Sequence, residues 1–216
     1  TLSDDVKTIK IIGNARLSLL PIREGGVWEE EDHGDGHHHD HGDYDAHIWL
    51  SNKNVIKMTK FLISELSKIN PDKKNIYKAN AKVFINKVKA NAAKIRKDLD
   101  SVKDKPYIVF HDAYQYFETE NSLSSVGSIA LNPEISPTPN RIKEIKAKIE
   151  KDNVVCLFRE PQFPSRVVQT VIADTNANEG ELDPIGFDLT PGKELYFTLT
   201  NNLSNNLKEC LMKGGL

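Results

Sequence analysis

A chain of 216 residues is long enough for one sizeable domain or two small ones. With 38% hydrophobic and 28% charged residues and a formal charge of −2, it offers no electrostatic footprint for nucleic acid or an acidic membrane. No run approaches the roughly 20 apolar residues that span a bilayer. The opening "TLSDDVKTIK" lacks the apolar centre of a secretory leader, so an intracellular chain, or a processed or truncated one, is expected.

In chain order, "VKTIKIIGN" alternates apolar and polar residues as a strand does, and "LLPIREGG" reads as a loop. The next stretch, "DHGDGHHHDHGDYDAHIWLS" at residues 32–51, holds six of the seven histidines. Two kinds of histidine are mixed there. His33, His37, His38, His39 and His41 are spaced by Gly and Asp, a composition too poor in apolar side chains to impose a geometry. They suit weak capture of zinc, copper or nickel without selection among them. His47 differs, because Ile48, Trp49 and Leu50 follow it and should anchor its backbone against a core. That gives the rigid imidazole a specific site needs. The tract is internal and interrupted, unlike a purification tag.

Ser51 or Asn52 is the expected N-cap of a helix, with Val55, Met58, Phe61, Leu62, Leu66 and Ile69 at helical spacing. "NPD" at 70–72 ends it. A longer helix follows, with one apolar stripe through Ile76, Val83, Phe84, Val88, Ala92, Ile95, Leu99 and Val102 and no internal Gly or Pro. At about 1.5 Å per residue it spans roughly 45 Å, long enough to connect two lobes. From "KDKPYIVF" onward the pattern alternates. "YIVFH", "SSVGSIAL", "NVVCLFRE" and "GELDPIG" read as strands; "DAYQYFETE", "TPNRIKEIKAKIEKD", "SRVVQTVIADTN" and "GKELYFTLTNNLSNNLKECL" read as helices. Such alternation predicts a parallel sheet covered by helices on both faces.

Ligands of open α/β sheets bind outside the carboxyl ends of the strands. His111, Glu160 and Asp183 fall there. A lone histidine at a strand end is commonly structural, but three donors on one rim, with more imidazole upstream, favour a metal. GxSxG, HExxH and a phosphate-binding glycine loop are all missing, so nucleophilic and nucleotide chemistry find no support. A metal-dependent hydrolase would have to use Glu160 as its base. Cys156 and Cys210 lack a CxxC partner, which leaves two buried thiols or one long-loop disulfide.

"DAHIWLS", "VFHDAYQYFE", "LNPEISPTPNRIKEI", "REPQFPSRVVQTV" and "LDPIG" occur in the order and spacing of a known family. From Val6 onward the chain resembles the zinc-binding periplasmic solute-binding proteins of bacterial ABC importers, the ZnuA-like members of metal-binding cluster A-I. The resemblance implies two α/β lobes, with parallel sheets flanked by helices, joined by a long rigid helix. Residues 1–70 would be a remnant of the N-terminal lobe, including a His-rich loop at 32–46. Residues 71–103 would form the linker helix and 104–216 the C-terminal lobe.

The same resemblance implies zinc held in the cleft by His47 and His111, with Asp183 at or near the metal. Glu160 would support the site or add a ligand, and the loop histidines would bind at low affinity. Imidazole at position 111, where manganese-binding relatives carry a carboxylate, favours zinc. It further implies a Cys156–Cys210 disulfide, a periplasmic location, no enzymatic activity, and delivery of Zn²⁺ to an inner-membrane ABC permease. The family's early first-lobe elements, with another histidine ligand, have no counterpart here. The expectation is therefore a truncated chain that binds zinc more weakly and self-associates, where a complete one would be a monomer. Rival readings are a manganese or iron receptor of the same family and a zinc-buffering protein without a permease.

Overall fold

The computed structural model describes residues 6–23, 44–123, 125–130 and 133–214. Helix α1 spans Asn52–Ile69, and Ser51 caps it by accepting a hydrogen bond from the Asn54 N–H at 3.0 Å. Asn70 and Pro71 turn the chain into α2, Lys74–Leu99, whose 26 residues span about 39 Å. Its apolar stripe is only half used. Val88, Ile95 and Leu99 are buried, whereas Ile76 and Val83 are 57% and 70% exposed. Periodicity assigns a face, but burial needs a neighbour. The closing helix α6, Leu195–Met212, meets α2 at Phe84, Val88 and Asn91, short of its first turns.

The remaining elements are β1 (Tyr107–His111), α3 (Gln115–Asn121), β2 (Ser125–Ala130), α4 (Pro139–Lys151), β3 (Cys156–Arg159), α5 (Arg166–Ile172) and β4 (Asn178–Glu181). The four strands form one parallel sheet in the order β2-β1-β3-β4. Alternation along the strands divides the core between two faces. Tyr107, Val109, Cys156 and Phe158 pack with α2, α3 and α6; Ile108, Phe110 and Leu157 pack with α4 and α5. Cys156 of β3 and Cys210 of α6 are joined as a disulfide within the first of these faces.

Two expectations need correcting. The alternating segment at 6–14 forms no strand, because among the described residues nothing pairs with it. Its chain turns at Ile11, whose carbonyl accepts from the N–H groups of Asn14 and Ala15, and Ile11, Leu17, Leu19 and Leu20 lie against the main core. The last strand sits earlier than predicted, at Asn178–Glu181, and "LDPIG" forms the loop that leaves it. The order of the sheet places its reversal between β1 and β3, since the chain steps to one side for β2 and to the other for β3 and β4. A ligand is expected at the carboxyl end of that reversal.

Candidate metal centre

His111 is the last residue of β1 and Glu160 the first after β3, so the two side chains meet over the reversal point. His111 Nδ1 lies 2.6 Å from Glu160 Oε1. Glu160 is 2% exposed, and the Tyr114 hydroxyl sits 3.2 Å from both its Oε1 and the Leu182 carbonyl. Burial, reinforced by the charge of Glu160, pushes the Tyr114 phenol well above its ordinary range, so it remains a donor.

His47 arrives from the other side, at the start of the short 3₁₀ turn Ile48–Leu50. Asp45 Oδ1 accepts the His47 backbone N–H at 2.9 Å and lies 2.7 Å from its Nδ1. Asp45 is itself buried and held by its backbone. Its N–H donates to the Leu20 carbonyl at 2.9 Å, and its carbonyl accepts from the Tyr116 hydroxyl at 2.9 Å. Ile48 and Leu50 enter the core, and Trp49 Nε1–H donates to the Pro184 carbonyl at 2.8 Å. The anchoring expected of "IWL" is therefore present.

These fixings bring His47 Nε2 and His111 Nε2 to 3.4 Å from each other. A carboxylate against each Nδ1 selects the Nδ1–H tautomer, which leaves a lone pair on each Nε2. Two lone pairs facing across that gap repel unless they share a cation. Two imidazole nitrogens each about 2.0–2.1 Å from a tetrahedral zinc would stand about 3.3–3.4 Å apart. The pair already has that spacing, and each ring has the carboxylate partner common to histidine ligands of zinc.

The other predicted residues are placed differently. Asp183 caps the loop after β4: its Oδ1 accepts from Gln162 Nε2 and the N–H groups of Ile185 and Gly186, and its Oδ2 from the Phe187 N–H. It does not join the pair, for among the described residues no three His, Cys, Asp or Glu side chains converge on one ion position. His33, His37, His38, His39 and His41 lie outside the described residues. Sequence reasoning missed Asp45, whose signal was an acidic residue two positions before His47. It also missed a part-buried ion cluster that adjoins the site through Asp112. There Arg23 pairs with Asp112, next to His111, and with Glu118 at 2.9 Å, while the Tyr107 hydroxyl donates to Glu118 at 3.1 Å.

A family model described as "Zinc-uptake complex component A periplasmic" (ZnuA) matches residues 5–210. The chain is 38% identical over 239 residues to the high-affinity zinc uptake system protein ZnuA of Brucella suis biovar 1 (strain 1330), covering 99% of this chain and 72% of that relative. It is 36% identical over 212 residues to the protein of the same name from Yersinia pestis, covering 90% and 67%. Among solved structures, a crystal structure of ZnuA superposes with TM-score 0.63 at 24% identity, over 79% of this chain and 61% of that one. A Mn²⁺ complex of the solute-binding protein FpvC from Pseudomonas aeruginosa gives TM-score 0.74 at 20% identity, over 94% and 69%. At these identities the structural likenesses establish the fold alone.

Proposed function

The chain belongs to the family of ZnuA-type periplasmic components of zinc-uptake complexes, and on that premise we propose that it captures Zn²⁺ between His47 and His111. The observation that carries this reading is the 3.4 Å approach of the two Nε2 atoms, each ring backed by its own carboxylate. Imidazole is a donor suited to zinc more than to manganese, which supports zinc as the cargo. Asp183 stands apart from the pair, and we propose it as a third donor that would have to close on the ion through Oδ2, which carries one hydrogen bond where Oδ1 carries three. Water or a loop histidine would complete the tetrahedron. The role is that of a receptor, not a catalyst: the ion is held, carried through the periplasm and passed to an inner-membrane ABC permease. No helix among the described residues is long and apolar enough to cross a membrane.

Competition against a chromophoric zinc chelator tests this. H47A and H111A should each lose the tight site, by about 100-fold or more, given that changes to supporting residues alone cost about 10–100-fold. Wild-type affinity in either variant would overturn the assignment, and a preference for Mn²⁺ over Zn²⁺ in the wild type would favour a manganese receptor.

A further inference from the structure

One helix holds the chain on both flanks of His47. Helix α3 begins four residues after His111, and it carries Tyr116 and Glu120 four positions apart, on one face. Tyr116 holds the carbonyl of Asp45, two residues before His47. Glu120 holds the chain on the other flank. Its Oε1 accepts from Ser51 Oγ at 2.7 Å and the Lys53 N–H at 3.1 Å; its Oε2 accepts from the Asn52 N–H at 3.1 Å and Asn52 Nδ2 at 3.0 Å. Two of these donors are first-turn N–H groups of α1, which have no partner inside their own helix and favour a negative charge beside them. Ser51 Oγ simultaneously caps Asn54, and the Tyr196 hydroxyl of α6 donates to Asn52 Oδ1 at 3.1 Å. Arg96 of α2 fixes the far end of the clamp by donating to the Glu120 carbonyl at 3.0 and 3.2 Å.

We propose that Glu120 is a positioning residue for metal binding, which fixes His47 against His111 by anchoring the start of α1 to the helix that follows β1. The inference rests on the reading of His47 and His111 as zinc ligands. An ion gains from two imidazoles only when both Nε2 atoms stand at the right spacing before it arrives, because any reorganisation is subtracted from affinity. Glu120 touches neither ring. It acts through the three residues between His47 and the Ser51 cap, of which Ile48 and Leu50 are buried and make the link stiff.

The test measures zinc affinity by chelator competition, and the visible absorption of bound Co²⁺, which is intense only in tetrahedral geometry. The variants are E120A, E120Q, H111A and V171A. Val171 is a buried residue of α5, in the core on the opposite face of the sheet. V171A should lower the melting temperature while leaving affinity and the cobalt spectrum unchanged. E120A should weaken zinc about 10-fold or more and reduce the cobalt intensity under conditions where it is folded. E120Q keeps one acceptor oxygen but turns an amide NH₂ toward the Asn52 donors, and should lose roughly threefold or more. Unchanged affinity and spectrum in E120A and E120Q, or a loss matched by V171A, would overturn the positioning role. H111A separates the two claims. If H111A loses the ion while both Glu120 variants keep it, only the role of Glu120 fails; if H111A keeps it, the site itself is misassigned.

Discussion

Glu160 Oε1 lies 2.6 Å from His111 Nδ1, and the contact joins the two strands between which the sheet reverses its order. The carboxylate thereby fixes the ring's tautomer and its direction. E160A should weaken zinc about 10–100-fold. E160Q should lose less, because its amide oxygen can still accept the Nδ1–H. Chelator titration of the two variants checks the order. Wild-type affinity in E160A would mean that packing against the Phe163 ring, 6.3 Å away, is enough to orient His111.

Glu118, in the ion cluster with Arg23 and Asp112, is shifted by burial. Burial raises the Glu118 carboxyl above its ordinary value of 4.5, against the opposing pull of Arg23. A carboxyl raised in the folded state contributes stability that is fully present below its unfolded value and is lost as pH rises through the folded one. Without Arg23 the folded value rises further, so the charged form costs more at neutral pH. R23A should destabilise the protein by about 2–3 kcal/mol at pH 7. That is less than the roughly 3–5 kcal/mol for a fully buried pair, because the Arg23 side chain keeps 22% of its surface exposed. The deficit should shrink as pH falls toward 4.5 and Glu118 takes up its proton. Chemical denaturation at pH 7 and pH 5 measures both values, and a deficit equal at the two would count against this account.

What was legible in the sequence was what local chemistry decides. Ser51 caps α1 as its hydroxyl and position require, and His111 and Glu160 sit where strand ends in such a sheet must sit. The pairing of His47 with Asp45 and the grip of Glu120 on residues 51–53 depend on how separate elements meet, which no periodicity encodes. The exposed Ile76 and Val83 make the same point in reverse: a helical stripe shows which residues share a face, not whether anything covers it. The segment at 6–14 alternates like a strand but has no ladder to join among the described residues, and alternation without a partner does not make a sheet.

The disulfide should serve the fold more than the site. Cys156 and Cys210 are 54 positions apart, and their bond ties α6 to β3 from within the core. The C156A/C210A variant should lose about 2–4 kcal/mol, chiefly because the unfolded chain regains freedom. Zinc affinity at low temperature should stay within a few-fold of wild type, since neither cysteine touches a histidine or its carboxylate. Denaturation and chelator titration on the same sample separate the two effects; a large loss of affinity in folded protein would show coupling between α6 and the histidine pair.

Gly180 in β4 has no room for a side chain. A Cβ there would come within 2.4 and 2.5 Å of the Phe158 ring and 3.3 Å of Cys210 Cβ. Phe158 is fully buried, and its ring would have to shift within the core to admit the methyl group. G180A should cost about 1–3 kcal/mol by overpacking. An unchanged thermal midpoint would mean that the Phe158 ring can tilt at no cost.

Asp183 poses the sharpest question about the site, because two roles compete for one carboxylate. As a loop organiser it accepts three backbone N–H groups and the Gln162 amide. As a third zinc donor it would use Oδ2, and the Phe187 N–H bond to that oxygen would have to lengthen or share it. The two roles leave different marks. Loss of the loop organiser lowers the stability of the metal-free protein, by about 1–3 kcal/mol for the donors left without an acceptor. Loss of a ligand lowers instead the increment that zinc adds, which grows with the ratio of free zinc to its dissociation constant. D183A is expected to do both: a lower melting temperature without metal, and a zinc-induced rise smaller than wild type but larger than in H111A. Melting curves of wild type, D183A and H111A, each with and without saturating Zn²⁺, give the two quantities directly. A full zinc-induced rise in D183A would restrict Asp183 to the loop and leave that coordination position to water or to a histidine of the preceding tract.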